Sequence, residues 1–301
     1  MFYCGWDGGG TKTRACLLNG TGTQMNEAVF GPLNPNGAAM EIVRQTIRDG
    51  VAWLADACGG LQNCGGLVVG AAGISNRLTA GLIQDTLKEA GYSGSLRLLG
   101  DHEILLAGAV HGPGAILIAG TGSVCFGRDA QGKPFRAGGY GYLIDDVGSG
   151  YALGRDILTA VVRGQDGRGK DTCLYELALD ALGLKDLGGL ITWLYSPETD
   201  RRKIASLAPL LADALRENDE AALLIARKAA KELSELVLAG WKRANLTGGE
   251  LAYSGSILEH FDLIRDGVTE AVHAAIPEIS VIAPRHSAAQ GAAMLAREYF
   301  Q

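Results

Sequence analysis

Two short glycine-rich segments stand between apolar, strand-like runs of the chain. Gly8-Gly9-Gly10-Thr11-Lys12-Thr13 is the first, and Gly120-Thr121-Gly122-Ser123 is the second. Glycines leave successive backbone N–H groups open to a phosphate, and the hydroxyl and ammonium side chains add further donors. A hairpin turn without a ligand is the alternative, but the repetition favours phosphate binding. The residues predicted to bind a nucleotide phosphate are Gly9, Gly10, Thr11, Lys12, Thr13, Gly120, Thr121, Gly122 and Ser123.

Better-known phosphate motifs do not fit the first segment. A P-loop has Gly-Lys-Ser/Thr in direct succession, whereas Thr11 separates Gly10 from Lys12. A dinucleotide motif would need glycine at Thr13. Both motifs also open a helix, while the residues after this segment read as a strand. The segment is therefore predicted to be a hairpin tip.

Two aspartates lie where they could act on a phosphoryl group. Asp7 ends the strand before the first glycine segment, and a carboxylate beside a phosphate indicates an intervening Mg²⁺ ion. Asp101 follows the strand-like run 96–99, at the edge where α/β sheets carry their ligand chemistry. It could accept the proton of a substrate hydroxyl, or it could be an ordinary helix N-cap.

Strands and helices alternate in the first half of the chain, and the second half is more helical. The pattern predicts an α/β fold. Because two copies of a strand, Gly/Thr tip and strand begin more than a hundred residues apart, we expect two related domains. Predicted helices span 41–58, 78–90, 103–110, 151–163, 172–182, 204–216, 220–244 and 286–300. The predicted domains are 1–112, with 286–301 returning to it, and 113–285, with a hinge near Gly112–Gly114.

Composition narrows the function classes. The net charge is −6, and no basic stripe with interleaved aromatics occurs, so nucleic-acid binding has little electrostatic support. No apolar run is long enough to span a membrane. The six cysteines form no CxxC pair, which predicts a reduced, cytoplasmic protein; a metal site from Cys58 and Cys64 is the minor alternative.

Three motifs carry a family resemblance along nearly the whole chain. Segment 7–13 resembles the first phosphate motif of the sugar kinase, Hsp70 and actin superfamily, and 118–123 resembles the second. Segment 138–150 is similar to a sugar-site motif of the N-acetylglucosamine kinase branch, in the BadF/BadG/BcrA/BcrD ATPase family. The resemblance implies two actin-like, ribonuclease H-like ATPase domains with a cleft between them, ATP and Mg²⁺ as cofactors, and phosphorylation of N-acetylglucosamine or glucosamine. It favours Asp101 as the catalytic base and hints at a homodimer.

The resemblance also implies further contacts. Gly255 and Ser256 match the adenosine motif, with a plain strand-to-helix turn as the alternative. The sugar residues implied, besides Asp101, are Asn34, Gly73, Thr121, Gly122, Tyr140 and Asp146.

The sugar-site motif departs from the family pattern at three positions. Asp145 stands where glycine is usual, Val147 where glutamate is usual, and Tyr140 where tryptophan is commoner. An extra carboxylate would suit a cationic amino sugar, so one hypothesis is that Asp145 favours glucosamine.

Two other functions fit the same fold. One is an ATPase activator of a 2-hydroxyacyl-CoA dehydratase, which would need cluster-binding cysteines. The other is a non-catalytic sugar or nucleotide sensor, against which the presence of Asp101 argues weakly.

Overall fold

A computed structural model describes residues 1–35, 37–71, 73–74 and 76–301. The chain divides into two compact units. Unit 1 comprises Met1–His111 and Ala283–Gln301, and unit 2 comprises Gly112–Ile282. Their assignment as the domains 1–112 with 286–301, and 113–285, stays a prediction.

Unit 1 is built on a five-stranded mixed sheet with strand order β3-β2-β1-β4-β5. The first three strands form an antiparallel meander, and β4 and β5 continue parallel to β1. The strands are β1 Phe2–Gly8, β2 Thr13–Asn19, β3 Gln24–Phe30, β4 Cys64–Ala71 and β5 Leu96–Leu99.

Helices cover both faces of this sheet, because successive side chains of a strand point to opposite sides. Cys4 and Trp6 belong to the buried cluster formed with the helices after β3 and β4, whereas Tyr3 packs with the helix after β5 and the final helix. The final helix approaches β1 so closely that a Cβ on Gly5 would lie 2.1 Å from the Ala293 nitrogen. The helices are α1 Met40–Cys58, α2 Arg77–Glu89, α3 Asp101–Ala109 and α12 Ala288–Phe300.

Unit 2 repeats the strand arrangement of unit 1. Its sheet has the order β10-β9-β6-β7-β8, again with an antiparallel meander followed by two parallel strands. The two glycine segments therefore occupy equivalent hairpin tips, and the predicted α/β class is confirmed. The strands are β6 Gly114–Ala119, β7 Ser123–Arg128, β8 Pro134–Gly138, β9 Gly248–Ser254 and β10 Glu278–Ile282.

The helices of unit 2 differ from the sequence prediction in three places, one of which is the helix Asp262–Ala275, where no helix was predicted. The predicted helix 204–216 is interrupted around Pro209, where i→i+3 hydrogen bonds replace helical ones, because proline cannot sit inside a helix without a clash. A helix at 187–194 was missed, since Gly188 and Gly189 lower its helix propensity. The helices are α4 Gly150–Gln165, α5 Leu174–Leu182, α6 Leu187–Leu194, α7 Arg201–Ala205, α8 Leu210–Arg216, α9 Glu220–Ala244, α10 Ser256–His260 and α11 Asp262–Ala275.

Among the described residues, no helix has both the length and the apolar character needed to cross a membrane. All six cysteines are free thiols. Within the same described ranges, no group of three or more His, Cys, Asp or Glu side chains could together hold a metal ion.

Candidate active site

In unit 1, the candidate residues follow the carboxyl ends of parallel strands. Asp7 on β1 pairs with Gly70 on β4, and Gly70 pairs with Leu99 on β5. Asp101 begins α3 two residues after β5 ends. Because parallel strands end at one edge of the sheet, Asp7, Gly73 and Asp101 all belong to loops or helix starts at that edge.

The first glycine segment is held from two sides. The Gly9 N–H donates to the Lys12 carbonyl at 2.9 Å, which closes the hairpin tip. The Gly9 carbonyl accepts from the backbone N–H groups of Leu33 (3.1 Å) and Asn34 (3.3 Å). These bonds bring Asn34 to the loop, while Thr11 and Lys12 remain exposed at its tip.

Thr13 differs from the other residues of this loop. Its side chain is buried, and its hydroxyl donates to the Gly31 carbonyl at 2.8 Å. The hydroxyl therefore fastens the base of the hairpin to the segment after β3. The phosphate contact predicted for Thr13 stays a prediction.

Asp101 is an accessible carboxylate with a lowered pKa. It accepts a hydrogen bond from the His102 backbone N–H at 2.9 Å and lies 3.3 Å from Nδ1 of the same residue. These bonds from His102, its side chain first, lower the pKa of Asp101 below its usual value, and the side chain is 55% exposed. The carboxylate can thus accept a proton at neutral pH.

The alternative reading of Asp101 as a helix N-cap is not what the structure shows. Gly100 occupies the N-cap position of α3, and Asp101 is the first helical residue. The Glu103 carboxylate accepts from the Gly100 N–H at 3.0 Å. Capping is therefore carried by Glu103.

The ionisation of Asp7 depends on the charge of Asp101. Burial raises the pKa of Asp7, and the negative charge of Asp101 raises it further, while Arg14 and Lys12 act in the opposite direction. Two carboxylates that repel each other at one sheet edge form an oxygen-donor set suited to a divalent cation.

Gly73 lies in the turn after β4 with a φ of +77°, a conformation that L side chains rarely adopt. Its carbonyl accepts from the Asn76 N–H at 3.0 Å. The conformation at this position therefore favours glycine, and the predicted sugar contact at Gly73 stays a prediction.

In unit 2, the second glycine segment is joined to the start of α4. The Gly150 N–H donates to the Gly120 carbonyl at 2.7 Å, and the Tyr151 N–H donates to the Thr121 carbonyl at 3.3 Å. Helix starts carry N–H groups without intrahelical partners, so α4 uses two of them to position this loop. The Thr121 side chain remains exposed.

A buried aspartate, Asp146, holds the second glycine segment in place. Asp146 is 6% exposed, has a φ of +55°, and accepts from the Ser123 N–H at 3.4 Å. A Cβ on Gly122 would lie 2.9 Å from its Oδ2, so only glycine fits there. The Ser123 hydroxyl donates to the Val147 carbonyl at 2.6 Å, and the phosphate contact predicted for Ser123 stays a prediction.

The loop before Asp146 is fastened by charged side chains. Asp145 accepts from the Tyr140 N–H at 3.0 Å, and Arg136 donates to the Gly138 carbonyl at 2.8 Å. The Arg136 guanidinium also lies 5.1 Å from the centre of the Tyr140 ring, which is itself largely exposed. Asp145 thus has a local partner that the sequence hypothesis of amine recognition did not foresee.

Part of the predicted nucleotide set lines one cavity of unit 2, of about 400 Å³. Gly120, Thr121 and Ser256 contribute to its wall. Gly255 has a φ of +97°, and a Cβ there would lie 2.4 Å from the Ala119 carbonyl oxygen, so this turn needs glycine. Sequence reasoning missed the opposite wall, which the α7–α8 turn and α10 supply. Its residues include Arg202, Ala205, Ser206, Ala208, Pro209, Ala212, His260 and Phe261.

Comparison with known proteins decides the family. The model of the BadF/BadG/BcrA/BcrD ATPase family matches residues 4–296. The chain belongs to this family. Its predicted membership is thereby confirmed.

Relatives of this BadF/BadG/BcrA/BcrD family member carry kinase names. An N-acetylmuramic acid/N-acetylglucosamine kinase of Clostridium acetobutylicum is 30% identical, with 98% of each chain covered. A glucosamine kinase of Vibrio cholerae is 28% identical over 98% of this chain and 95% of the relative.

Solved structures agree on the fold. A Chromobacterium violaceum protein, provisionally named an N-acetylglucosamine kinase, superposes with a TM-score of 0.73 at 27% identity, covering 98% of both chains. A ROK hexokinase of Thermus thermophilus superposes with a TM-score of 0.63 at 15% identity, over 99% of both chains. The second likeness concerns the fold alone, and with the two equivalent sheets it confirms the predicted actin-like class.

Proposed function

We propose that this protein is an ATP-dependent kinase that phosphorylates a hydroxyl of an amino sugar of the N-acetylglucosamine or glucosamine class. The full-length relatives with kinase names support the reaction and the substrate class. The single structural observation that carries the proposal is Asp101, an ionised carboxylate at the sheet edge that also bears Asp7 and the Gly9–Lys12 loop.

Asp101 is the proposed catalytic base. Phosphoryl transfer needs little covalent help, but it needs an oriented hydroxyl and a proton acceptor. The hydrogen bonds from His102 keep Asp101 ionised and fix its orientation, and its exposure leaves it open to a sugar hydroxyl. When that hydroxyl attacks the terminal phosphorus of ATP, its proton passes to Asp101.

The two hairpin tips are proposed to bind the phosphates of ATP. Gly9, Gly10, Gly120 and Gly122 allow close backbone approach, while Thr11, Lys12 and Thr121 supply side-chain donors. The cavity beside Gly120 and Ser256 is the proposed nucleoside site, in which Arg202 and His260 offer further donors.

Mg²⁺ fits the unit 1 edge. Hard oxygen donors are what this ion prefers, and Asp7 has a raised pKa because it is buried beside a second carboxylate. Asp7 is therefore the proposed ligand, directly or through water. When bound, the ion neutralises phosphate charge and relieves the repulsion between Asp7 and Asp101.

The proposed sugar contacts, besides Asp101, are Asn34 and Gly73 on unit 1 and Thr121, Gly122, Tyr140 and Asp146 on unit 2. Of these, Asp146 already uses one oxygen to hold the Ser123 N–H, so it can position the second loop and still accept from a sugar hydroxyl.

An ADP-release assay with purified protein tests the proposal. The acceptors are glucosamine, N-acetylglucosamine, N-acetylmuramic acid, glucose and galactose, each with ATP and Mg²⁺. We expect ADP release that depends on the acceptor and is highest with an amino sugar. Acceptor-independent ATP hydrolysis, or no turnover with any acceptor, would contradict the kinase proposal.

A further inference from the structure

Two cysteines of unit 1 flank a short turn at the sheet edge opposite Asp7 and Asp101. Cys58 is the last residue of α1, and Cys64 is the first residue of β4. Both are 5% exposed members of one buried cluster of unit 1, and each changes the pKa of the other. The two side chains thus lie in the same part of the core, at the two ends of one short turn.

The backbone between the two cysteines is a compact turn. Gly59 and Gly60 both have positive φ values, 65° and 118°, and 61–63 form one turn of 3-10 helix. The Asn63 side-chain amide donates to the Cys58 carbonyl at 3.0 Å, which ties the two ends of the turn together. This turn is largely exposed and forms the outer cover of the pair, so the thiols lie just beneath the surface.

The pKa of Cys64 is lowered and that of Cys58 is raised, so Cys64 is the first of the two to ionise. The hydrogen bond from Cys58 lowers the pKa of Cys64, while burial acts against this. Tyr92, whose hydroxyl donates to the Ser95 carbonyl at 2.8 Å, also lowers the pKa of Cys64. Since thiolates are the reactive form of cysteine, Cys64 is the better nucleophile of the two.

We propose that Cys58 and Cys64 are a thiol pair that a peroxide oxidises to an intramolecular disulfide. The Cys64 thiolate attacks one oxygen of the peroxide, so that an S–O bond forms and the O–O bond breaks. When the peroxide is hydrogen peroxide, the departing oxygen is protonated and leaves as water. The Cys58 sulfur then displaces the hydroxyl from Cys64, so that an S–S bond forms and a second water leaves. The two thiols lose two electrons, which reduce the peroxide.

Formation of the disulfide should change the thermal stability of the protein. The disulfide would join the end of α1 to the start of β4 across a five-residue turn, which restricts the unfolded chain. The Asp7 edge lies at the other end of β4, so the bond should raise thermal stability without altering the candidate active site. This inference does not depend on the kinase proposal.

Peptide mapping of the wild-type protein tests the pair directly. Trypsin releases 49–77 as one peptide, because no lysine or arginine lies between Arg48 and Arg77, and Cys58 and Cys64 are its only cysteines. The folded protein is treated with hydrogen peroxide, quenched, denatured, alkylated and digested. We expect this peptide to appear without alkyl groups and about 2 Da lighter than its reduced form.

Matched variants complete the test. Cys58→Ser and Cys64→Ala should each abolish the lighter peptide, and Cys125→Ser, at a buried thiol of unit 2, should leave it unchanged. The oxidised wild type should melt a few degrees higher than the reduced protein. The proposal would be overturned if both cysteines of peptide 49–77 were still alkylated under conditions in which peroxide has oxidised Cys173. It would also be overturned if one cysteine of the peptide were oxidised without forming a disulfide. Should a variant fail to fold, the wild-type map decides.

Discussion

The two hairpin tips share a strand context but are held and charged differently. The first, Gly9–Lys12, carries an ammonium and adjoins Asp7, and backbone bonds from residues 33 and 34 hold it. The second, Gly120–Ser123, has no charged residue and rests on the buried Asp146 and on the start of α4.

This difference separates two tasks. In unit 1, Asp7 is buried and repelled by the ionised Asp101, so that edge is suited to cation binding and proton transfer. In unit 2, a neutral loop borders a cavity, which is suited to holding a nucleotide. Substitutions of Asp7 or Asp101 should therefore affect turnover, and substitutions of the glycines in the second region should affect nucleotide affinity.

The largest expected effect comes from Asp101→Asn. Loss of the base should lower kcat by about 10²–10⁴-fold, while sugar binding measured by calorimetry is retained. Asp85→Asn, on the exposed face of α2, is the matched control and should be silent. A normal kcat for Asp101→Asn would contradict the assignment of proton transfer to the unit 1 edge.

Glycine substitutions in unit 2 should weaken nucleotide binding by two separable routes. A Cβ added at Gly120 would meet no atom within 4 Å, so Gly120→Ala should fold normally and raise the KM for ATP by about tenfold through a clash with phosphate. In Gly255→Ala the added Cβ would clash with the Ala119 carbonyl, and the alanine would have to adopt a positive φ. This variant should therefore also lose about 1–3 kcal/mol of stability. Equal melting temperatures for the two variants would contradict this account, as would an unchanged KM for Gly120→Ala.

The raised pKa of Asp7 predicts how the stability of the folded protein depends on pH. Its folded-state pKa is raised, so ionisation of Asp7 destabilises the folded protein as the pH rises through that range. Asp7→Asn should therefore melt about 1–2 °C higher at neutral pH without a divalent cation. The same variant should need at least about tenfold more Mg²⁺ for half-maximal rate, about 1.4 kcal/mol of binding.

The Mg²⁺ dependence of the wild-type pH profile provides the control. Because a cation favours the ionised form of Asp7, raising Mg²⁺ should shift the acidic limb of activity to lower pH. Asp7→Asn should lose that shift. A variant that melts lower and keeps its Mg²⁺ response would show that Asp7 is an ordinary structural carboxylate.

Asp145 distinguishes charge recognition from loop positioning. If its role is to hold the Tyr140 N–H, Asp145→Asn keeps the acceptor oxygen and should stay within about twofold of wild type on both glucosamine and its N-acetyl form. Asp145→Gly should then raise the KM of both sugars by about 3–10-fold. A selective loss of glucosamine turnover in the Asn variant would instead support direct recognition of the amine.

The smallest effect is expected at Thr13. Thr13→Val removes the hydroxyl that bonds Gly31 and should cost about 1 kcal/mol of stability, with the KM for ATP nearly unchanged. Thr13→Ser, which keeps the hydroxyl, is the control. Thr11→Val, at the exposed tip, should show the reverse pattern, so a larger KM effect at Thr13 than at Thr11 would contradict the anchoring role.

The repeated hairpins and the position of Asp101 were readable from the sequence, because strand patterns and glycine turns are local signals. The cavity wall with Arg202 and His260 was not, since it depends on the break at Pro209 and on distant segments meeting. Likewise, the hydroxyls of Thr13 and Thr11 look alike in sequence, and only their surroundings separate an anchor from an open donor.

By itself, the sequence determined the α/β class, the duplicated strand units and the family, because each rests on short-range patterns and ordered motifs. The tertiary structure decided which polar groups are engaged: Thr13 with Gly31, Ser123 with Val147, and Asp145 with Tyr140. Each of these hydrogen bonds depends on an acceptor that folding brings from elsewhere in the chain, or on the shape of a loop. The residue type of the donor determines neither of these.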